Sequence, residues 1–364
     1  MADPRSTHAV IPYELDDSER APHERASLMH FATRLATLTG QHVDPHARDG
    51  YFIPMETLLQ DQAAEAGITT EDRLFGGVVP FPFVATKLIS HGLWPDGEGG
   101  APDGWVPTLG AALGDAVLPG YSVFTAADLR AAVTALLKSG PVRCKIAAAR
   151  GGNDQAVIIG DAELQAWMQG LSVDDIVRGV VVECDLHPAD TFSVGCVRVR
   201  GHAVAYFGTQ RNVRTAHGKT VYGGSQLRVV RGGLDALATL QLPNGADEAI
   251  AHVQRYEAAI EHAYPAMFAS RRNYDLVRGR DGEGRIRCGV LEQSWRFGGA
   301  SMAEMLAMES FAADPSLRSV DAWTYETYEP EPIPEHAVVY YQGEVGVCGF
   351  LTKYAMVMPH GSQS

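Results

Sequence analysis

Residues 273–301, NYDLVRGRDGEGRIRCGVLEQSWRFGGAS, gather the densest set of groups able to do chemistry in this chain. Two alternating segments flank Asp281-Gly282-Glu283-Gly284, which has the composition of a four-residue hairpin loop. On that register Asp275 lies opposite Val290, with Glu292 its diagonal neighbour on the same face. Ser294 and Arg296 continue the face, because strand side chains repeat every two residues. Diagonal neighbours are roughly 7–8 Å apart at the backbone, so two carboxylates leaning together could share one or two divalent cations. Magnesium favours one or two carboxylates plus the phosphates of a substrate, which points to a nucleotide. An arginine on that face then offsets charge developing on a transferring phosphoryl group. The same residues also fit the polar face of a solvated hairpin. A Gly-Gly-Ala-Ser turn follows, where Ser301 with Glu304 is expected to cap a helix and aim free backbone N–H groups at the same end.

The elements that must position these groups show an alternating rhythm. A loose leader of about 20 residues is expected first, then an amphipathic helix from His23 to Leu38. A short strand at Tyr51–Pro54 and a helix at Met55–Ala66 follow, and Val84–Leu93 reads as a short helix carrying Lys87. The Gly-, Pro- and Asp-rich stretch Trp94–Gly104 suits an exposed linker or lid. Thr125 with Asp128 is a capping-box signature, and Leu129, Val133, Leu136 and Leu137 share a helical face. In PVRCKI, Val142, Cys144 and Ile146 alternate with Arg143 and Lys145, which puts Lys145 on the face away from the apolar set. Gly151-Gly152 lies in the polar turn that follows, Gly179–Glu183 is a buried strand ending in a carboxylate, and Ala246–Tyr264 is a long helix.

A net charge of −14, from 30 Lys+Arg against 44 Asp+Glu, leaves no global field for nucleic acid or an anionic membrane. No apolar run of 18 residues is present, and the N-terminus lacks a signal-peptide core. Five cysteines, far apart and never in a C-x-x-C pair, argue against a disulfide framework or zinc knuckle and for a cytoplasmic protein. Against that acidic background, residues 191–234 hold no acid but carry Arg198, Arg200, Arg211, Arg214, Lys219, Arg228 and Arg231. The window could focus an anionic substrate, with Arg211 and Arg214 the strongest candidates, or its arginines could be spread over both faces of a solvated sheet. GTQR (208–211) and YGGS (222–225) are small and polar enough to line a substrate pocket, and Arg271 and Arg272 could grip a carboxylate bidentately.

These residues, in this order, resemble the ATP-grasp superfamily over roughly residues 75–301. Lys87 in FVATK resembles its first phosphate lysine, Lys145 in PVRCK the second, and Gly151-Gly152 the phosphate-covering loop. Glu183 in VVVEC resembles the hinge residue that reads the adenine amino group, and Asp190 the acid that takes the ribose hydroxyls. Asp275, Glu292 and Ser294 fall on the metal positions and Arg296 on the catalytic arginine. Ser294 departs from the usual Asn, Asp154 brings negative charge into the glycine loop, and Ile146 replaces a proline. The whole chain, with LFGGVVPFPFVATK, YGGS and VLEQSWR, also resembles a bacterial family of proteins of unknown function.

The resemblance implies an α/β protein of α+β lobes. Its parts would be an N-terminal βα domain (1–93), a small lobe (94–185) and a large lobe with the metal hairpin and C-terminal segment (186–364). It implies ATP and Mg²⁺ (or Mn²⁺) as cofactors, and a ligase that activates a small-molecule or peptide carboxylate as an acyl phosphate for attack by an amine. A catalytically weak ATP-binding regulator and a kinase on the same scaffold are the competing readings. Substrate identity and oligomeric state, a homodimer included, stay open, and the Tyr- and Pro-rich C-terminal segment is expected to cover the lobe or a partner.

Overall fold

The computed structural model describes residues 9–15, 20–97, 99–147, 155–215, 218, 220–329, 331–346 and 349–359. Strand β1 (Ala9–Tyr13), helix α1 (Pro22–Thr39) and strand β2 (Gly50–Pro54) open the chain, with β1 and β2 parallel. The expected leader therefore contains a strand: Ala9, Val10 and Ile11 are buried, because short apolar AVI pairs with the equally apolar β2. Helix α1 ends on Gly40 in the left-handed region (φ 69°), where its N–H reaches the Ala36 and Thr37 carbonyls. The expected helix at Met55–Ala66 is shorter, divided into β3 (Leu58–Leu59) and α2 (Gln60–Glu65). After β4 (Gly77–Val79), Lys87 lies not on an α-helix but in the second of two 3₁₀ turns, Pro82–Ala85 and Lys87–Ser90.

A five-stranded sheet follows. It comprises β5 (Gly92–Leu93), α3 (Leu109–Leu113), β6 (Gly120–Val123), α4 (Ala126–Leu136), β7 (Val142–Ile146), β8 (Gln155–Ile158), α5 (Asp161–Gln169), α6 (Val173–Arg178) and β9 (Val180–Cys184). Strand order is β5-β6-β9-β7-β8. Thr125 caps α4 by accepting from the Asp128 N–H at 3.0 Å. Leu129 and Val133 of α4 pack with Leu164 of α5 on Val142, Cys144, Val180 and Val182. Alternation then leaves Lys145, Val181 and Glu183 on the other face of the sheet.

The chain crosses directly from β9 into a second, eight-stranded sheet. Its elements are β10 (Ala189–Val199), β11 (His202–Arg214), β12 (Thr220–Arg231), α7 (Ala246–Ala263), β13 (Phe268–Ala269), β14 (Arg271–Arg280), β15 (Ile286–Ser294), α8 (Ser301–Ala313), β16 (Ser319–Thr327), β17 (Val338–Glu344) and β18 (Phe350–Pro359). The order is β15-β14-β10-β11-β12-β16-β18-β17, while β13 joins β4 and β3 in a small third sheet. One face carries Phe192, Val194, Phe207, Tyr274 and Leu276 against α7. The other buries Val197, Tyr206, Leu227, Val229 and Ala322 under α8 and α1 along part of its length, and its remaining part bears Asp275 and Glu292. The C-terminal segment is not a cover: β16–β18 extend this sheet.

The molecule is thus an α/β protein with one core on each side of the large sheet and another behind the small one. Among the described residues no helix is long and apolar enough to cross a membrane.

Candidate active site

The hairpin that carries the acids is one residue longer in its loop than its composition suggests. Asp281 accepts from the backbone N–H groups of Glu283 and Arg285 and from the side chains of Arg285 and Arg287, so Arg285 is drawn into the turn. Pairing then runs Arg280 to Ile286 and Leu276 to Val290, and an irregularity between Asp275 and Leu276 brings Glu292 directly opposite Asp275. The two carboxylates are cross-strand partners, closer than the diagonal expected from a four-residue loop.

Three donors converge on Asp275 Oδ1: Gln210 Nε2 at 2.7 Å, and Ser193 Oγ and Asn273 Nδ2 at 3.1 Å. Among the described residues none reaches Oδ2. Burial and then the Glu292 charge raise the Asp275 carboxyl above the ordinary carboxylate value, against the lowering by those three donors. A pair so placed gains from a cation. Lys87 Nζ supplies one, 3.3 Å from Glu292 Oε2. Gln293 positions it by donating to the carbonyls of Val84 and Thr86, both at 2.8 Å, which clamps the 3₁₀ turns onto β15. Tyr256 secures Gln293 in turn, through a 3.0 Å bond to Oε1.

Arg296 lies just past β15 in a segment pinned on three sides. The Trp295 carbonyl accepts from Gly77 N (2.8 Å) and Thr57 Oγ1 (3.2 Å), Phe297 N donates to Pro54 O (3.4 Å), and Arg271 donates to the Arg296 carbonyl (2.9 Å). The N-terminal strands therefore hold the arginine's backbone in place. Arg271 is not the substrate-binding residue its position suggests. It is buried and paired with buried Glu304 at 2.7 Å, and Glu304 also accepts from Tyr206. Glu304 consequently makes no capping box: α8 starts on Ala300 without a side-chain cap. Ser294 shares its neighbourhood with this guanidinium, which approaches its hydroxyl at 3.5 Å and its carbonyl at 3.1 Å, a poor setting for a metal-bound hydroxyl. Arg271→Met is expected to cost about 3–5 kcal/mol by stranding Glu304. A urea unfolding midpoint no lower than wild type would rule that out.

On the small sheet Lys145 and Glu183 form a buried ion pair of 2.5 Å, and His91 Nε2 meets the other Glu183 oxygen at 3.0 Å. Burial alone would raise the Glu183 pKa, but the Lys145 charge and the bonds from His91 and Lys145 outweigh it and hold the carboxyl at about 2. Gly120 makes room for this cluster, since a Cβ there would lie 2.8 Å from the His91 ring and 2.6 Å from the Val182 carbonyl. Glu183 is thereby committed to two protein partners rather than presented to a base.

Alternation separates other expected residues from the acids. Asp190 is exposed at the start of β10 on the Phe192 side, whereas Ser193 and Asp275 face the other way. Arg211 likewise lies on the face opposite Gln210, its guanidinium 5.1 Å from the Tyr325 ring centroid. Arg214 falls on the Gln210 side by the same count and is exposed. The basic window is no common patch. Arg198 pairs with Glu71 and Arg228 with Asp321, while Arg200 and Arg231 lie over Tyr51 and Phe311. Arg272 is taken by Glu261 at 2.5 Å. Gly151, Gly152, Asp154 and Lys219 lie outside the described residues. The thiols of Cys144, Cys184, Cys196 and Cys288 are free, and burial pushes each up to about 12.

Asn273, Gln293 and His91 escaped the sequence reading. Asn273 was within reach of it, two residues before Asp275 on the same strand face; the other two act across long sequence separations.

Two facing carboxylates with a lysine against one of them thus share an α/β frame with a second, buried lysine–carboxylate pair. Over residues 11–355 the chain matches the model of the family described as "Protein of unknown function (DUF3182)", and it belongs to that family. No curated protein matches it. Among solved structures it is similar to D-alanyl-alanine synthetase A from Vibrio cholerae O1 biovar eltor str. N16961, with 12% identity and a TM-score of 0.46, covering 83% of this chain and 92% of that one.

Proposed function

We propose that this protein is an ATP- and Mg²⁺-dependent ligase of ATP-grasp type, which activates a carboxylate as an acyl phosphate and passes the acyl group to an amine. The observation that carries this reading is the Lys87–Glu292 contact at 3.3 Å beside the Asp275–Glu292 cross-strand pair. It gathers a phosphate-binding cation and two metal-binding acids in one place.

The donor set fits a divalent cation completed by phosphate. Asp275 keeps Oδ2 clear of donors among the described residues, while burial and then the Glu292 charge raise its pKa. Asp275 and Glu292 alone would leave most positions around such an ion to substrate oxygens and water. Asp275 and Glu292 would hold the cation, which when bound neutralises phosphate charge and polarises the transferred group. Ser294, beside Arg271, favours one such ion over two.

Lys87 and Lys145 would bind phosphate oxygens, and Arg296 the charge that builds on the transferred group. The substrate carboxylate oxygen forms a bond to the γ-phosphorus as the bond to ADP breaks. The amine then attacks the acyl carbon, phosphate leaves, and the amine's proton passes to solvent.

Calorimetric titration of Mg·ATP into the wild-type protein is expected to give micromolar binding that Lys145→Ala abolishes. A screen for substrate-dependent release of both ADP and phosphate then separates a ligase from a kinase, which keeps the phosphate on its product. Absence of Mg·ATP binding in the wild type would remove the reading.

A further inference from the structure

The strand row beside the acids carries an arrangement that packing does not require. Tyr206 of β11 stands opposite Gly195 of β10, Gly195 opposite Asn273 of β14, and Asn273 opposite Ser294 of β15. All four lie on the Asp275 face, one row along from Ser193, Asp275 and Glu292. Gly195 leaves a gap in the middle of this row. A Cβ there would lie 2.4 Å from the Tyr206 hydroxyl oxygen and 2.5 Å from the ring carbon that bears it, so the phenol lies across β10 and reaches β14. Its hydroxyl ends 2.8 Å from Asn273 Oδ1 and 2.8 Å from Glu304 Oε1. A phenylalanine would fill the same buried space under α8 without needing either partner.

The two partners of that hydroxyl are unequal. Glu304 keeps Arg271 whichever way the hydroxyl points, with Nη2 2.7 Å from Oε1 and Nε 3.2 Å from each oxygen. Asn273 Oδ1 has no other donor among the described residues. Held there by the phenol, the amide turns Nδ2 to Asp275 Oδ1 at 3.1 Å, since the reverse sense would set a carbonyl oxygen against a carboxylate oxygen. Gln210 and Ser193, bonded to each other at 3.0 Å, hold Oδ1 from the other side. Beneath the phenol, Arg271 and Glu304 are both buried, and a buried pair adds little stability over apolar residues of the same size. What this pair adds is a fixed base with two arms. Arg271 Nη1 reaches the Ser294 and Arg296 carbonyls at 3.1 and 2.9 Å, and Glu304 reaches Asp275 through Tyr206 and Asn273.

Resting on the ligase reading above, we propose that Tyr206 is a positioning residue of the cation site: braced on the Arg271–Glu304 pair, it holds Asn273 so that Asp275 is tied by Oδ1 and turns Oδ2 toward the cation. Tyr206 touches neither the nucleotide nor the metal and acts through Asn273 alone. Partners that orient a metal ligand in this way change metal affinity by about 10–100-fold when they are removed. The loss should therefore fall on the metal-bound nucleotide and spare the nucleotide without its metal.

The test is calorimetric titration of Mg·ATP, and of ATP in excess chelator, into the wild-type protein, Tyr206→Phe, Asn273→Ala and the double variant. Tyr206→Phe is expected to weaken Mg·ATP at least about tenfold and to leave metal-free ATP within about twofold of the wild type. Because Tyr206 acts through Asn273, the double variant should bind Mg·ATP no more weakly than Asn273→Ala alone. Unchanged Mg·ATP affinity in Tyr206→Phe, an equal loss for metal-free ATP, or losses that multiply in the double variant would each overturn the proposal while the ligase reading stands. Wild-type protein that binds no Mg·ATP removes the ligase reading and this proposal with it. Should Tyr206→Phe fail to fold, Asn273→Ala against the metal-free control still decides.

Discussion

Converting Asp275 to Asn and Glu292 to Gln together is expected to lower substrate-dependent ADP release at least about a thousandfold, which corresponds to about 4 kcal/mol of transition-state stabilisation. Both side chains keep their shape, and Asp275 Oδ1 keeps an oxygen to accept from Gln210, Ser193 and Asn273, so the loss would not reflect collapse of the hairpin. Stability should move the other way for Asp275→Asn. The native structure raises the Asp275 pKa through burial and the Glu292 charge, so its ionised form is disfavoured there and Asp275→Asn by itself relieves that cost, whereas Gln at 292 takes the carboxylate from Lys87. A higher Tm with lost turnover in that single variant would thus separate a metal-binding role from a structural one. Lys87→Met supplies the complementary signature. With the 3.3 Å partner of Glu292 gone, Mg²⁺ alone should bind more tightly while Mg·ATP binds more weakly. Turnover retained in the double variant, or both affinities of Lys87→Met moving in one direction, would dismiss the assignment.

How much of this was legible in the sequence depends on the range of the interactions involved. The period of two in PVRCKI correctly placed Lys145 away from Val142 and Cys144, because alternation is a local property of the strand. The long helix α7 was equally plain from its periodicity, its end differing by one residue. Which acids share a face also followed from alternation, but their exact pairing did not. That was decided by Asp281 drawing Arg285 and Arg287 to itself and by the irregularity between Asp275 and Leu276, neither of which composition ranks. Arg271 shows the same limit more sharply. Two adjacent arginines before the hairpin looked like substrate ligands, yet Glu304, on a later helix, claims one and Glu261 of α7 the other. The basic window failed for that reason as well: Glu71 and Asp321 lie outside it in sequence and beside it in space. Strands β1 and β16–β18 were missed because short apolar or aromatic runs reveal a strand only through the partner they pair with.

The small sheet yields the larger effect on stability. Glu183→Gln is expected to cost about 3–5 kcal/mol, since it leaves the buried Lys145 ammonium facing a neutral amide and removes one charge of the His91 contact. The pH dependence gives the sharper signature. Glu183 has a folded pKa of about 2 against an ordinary value of 4.5. A depressed carboxylate contributes stability that is fully present above the unfolded value and is lost as pH falls through the folded one. The wild type should therefore surrender on the order of 3 kcal/mol between about pH 5 and pH 2 from this residue. The Gln variant has no such group to protonate, so its stability should fall less steeply over the same interval and the two curves should converge in acid. Urea midpoints at pH 3, 4, 5 and 7 measure this directly. Parallel curves would mean that Glu183 is not held as a carboxylate by Lys145 and His91, and Lys145 would then have to be oriented by something other than this pair.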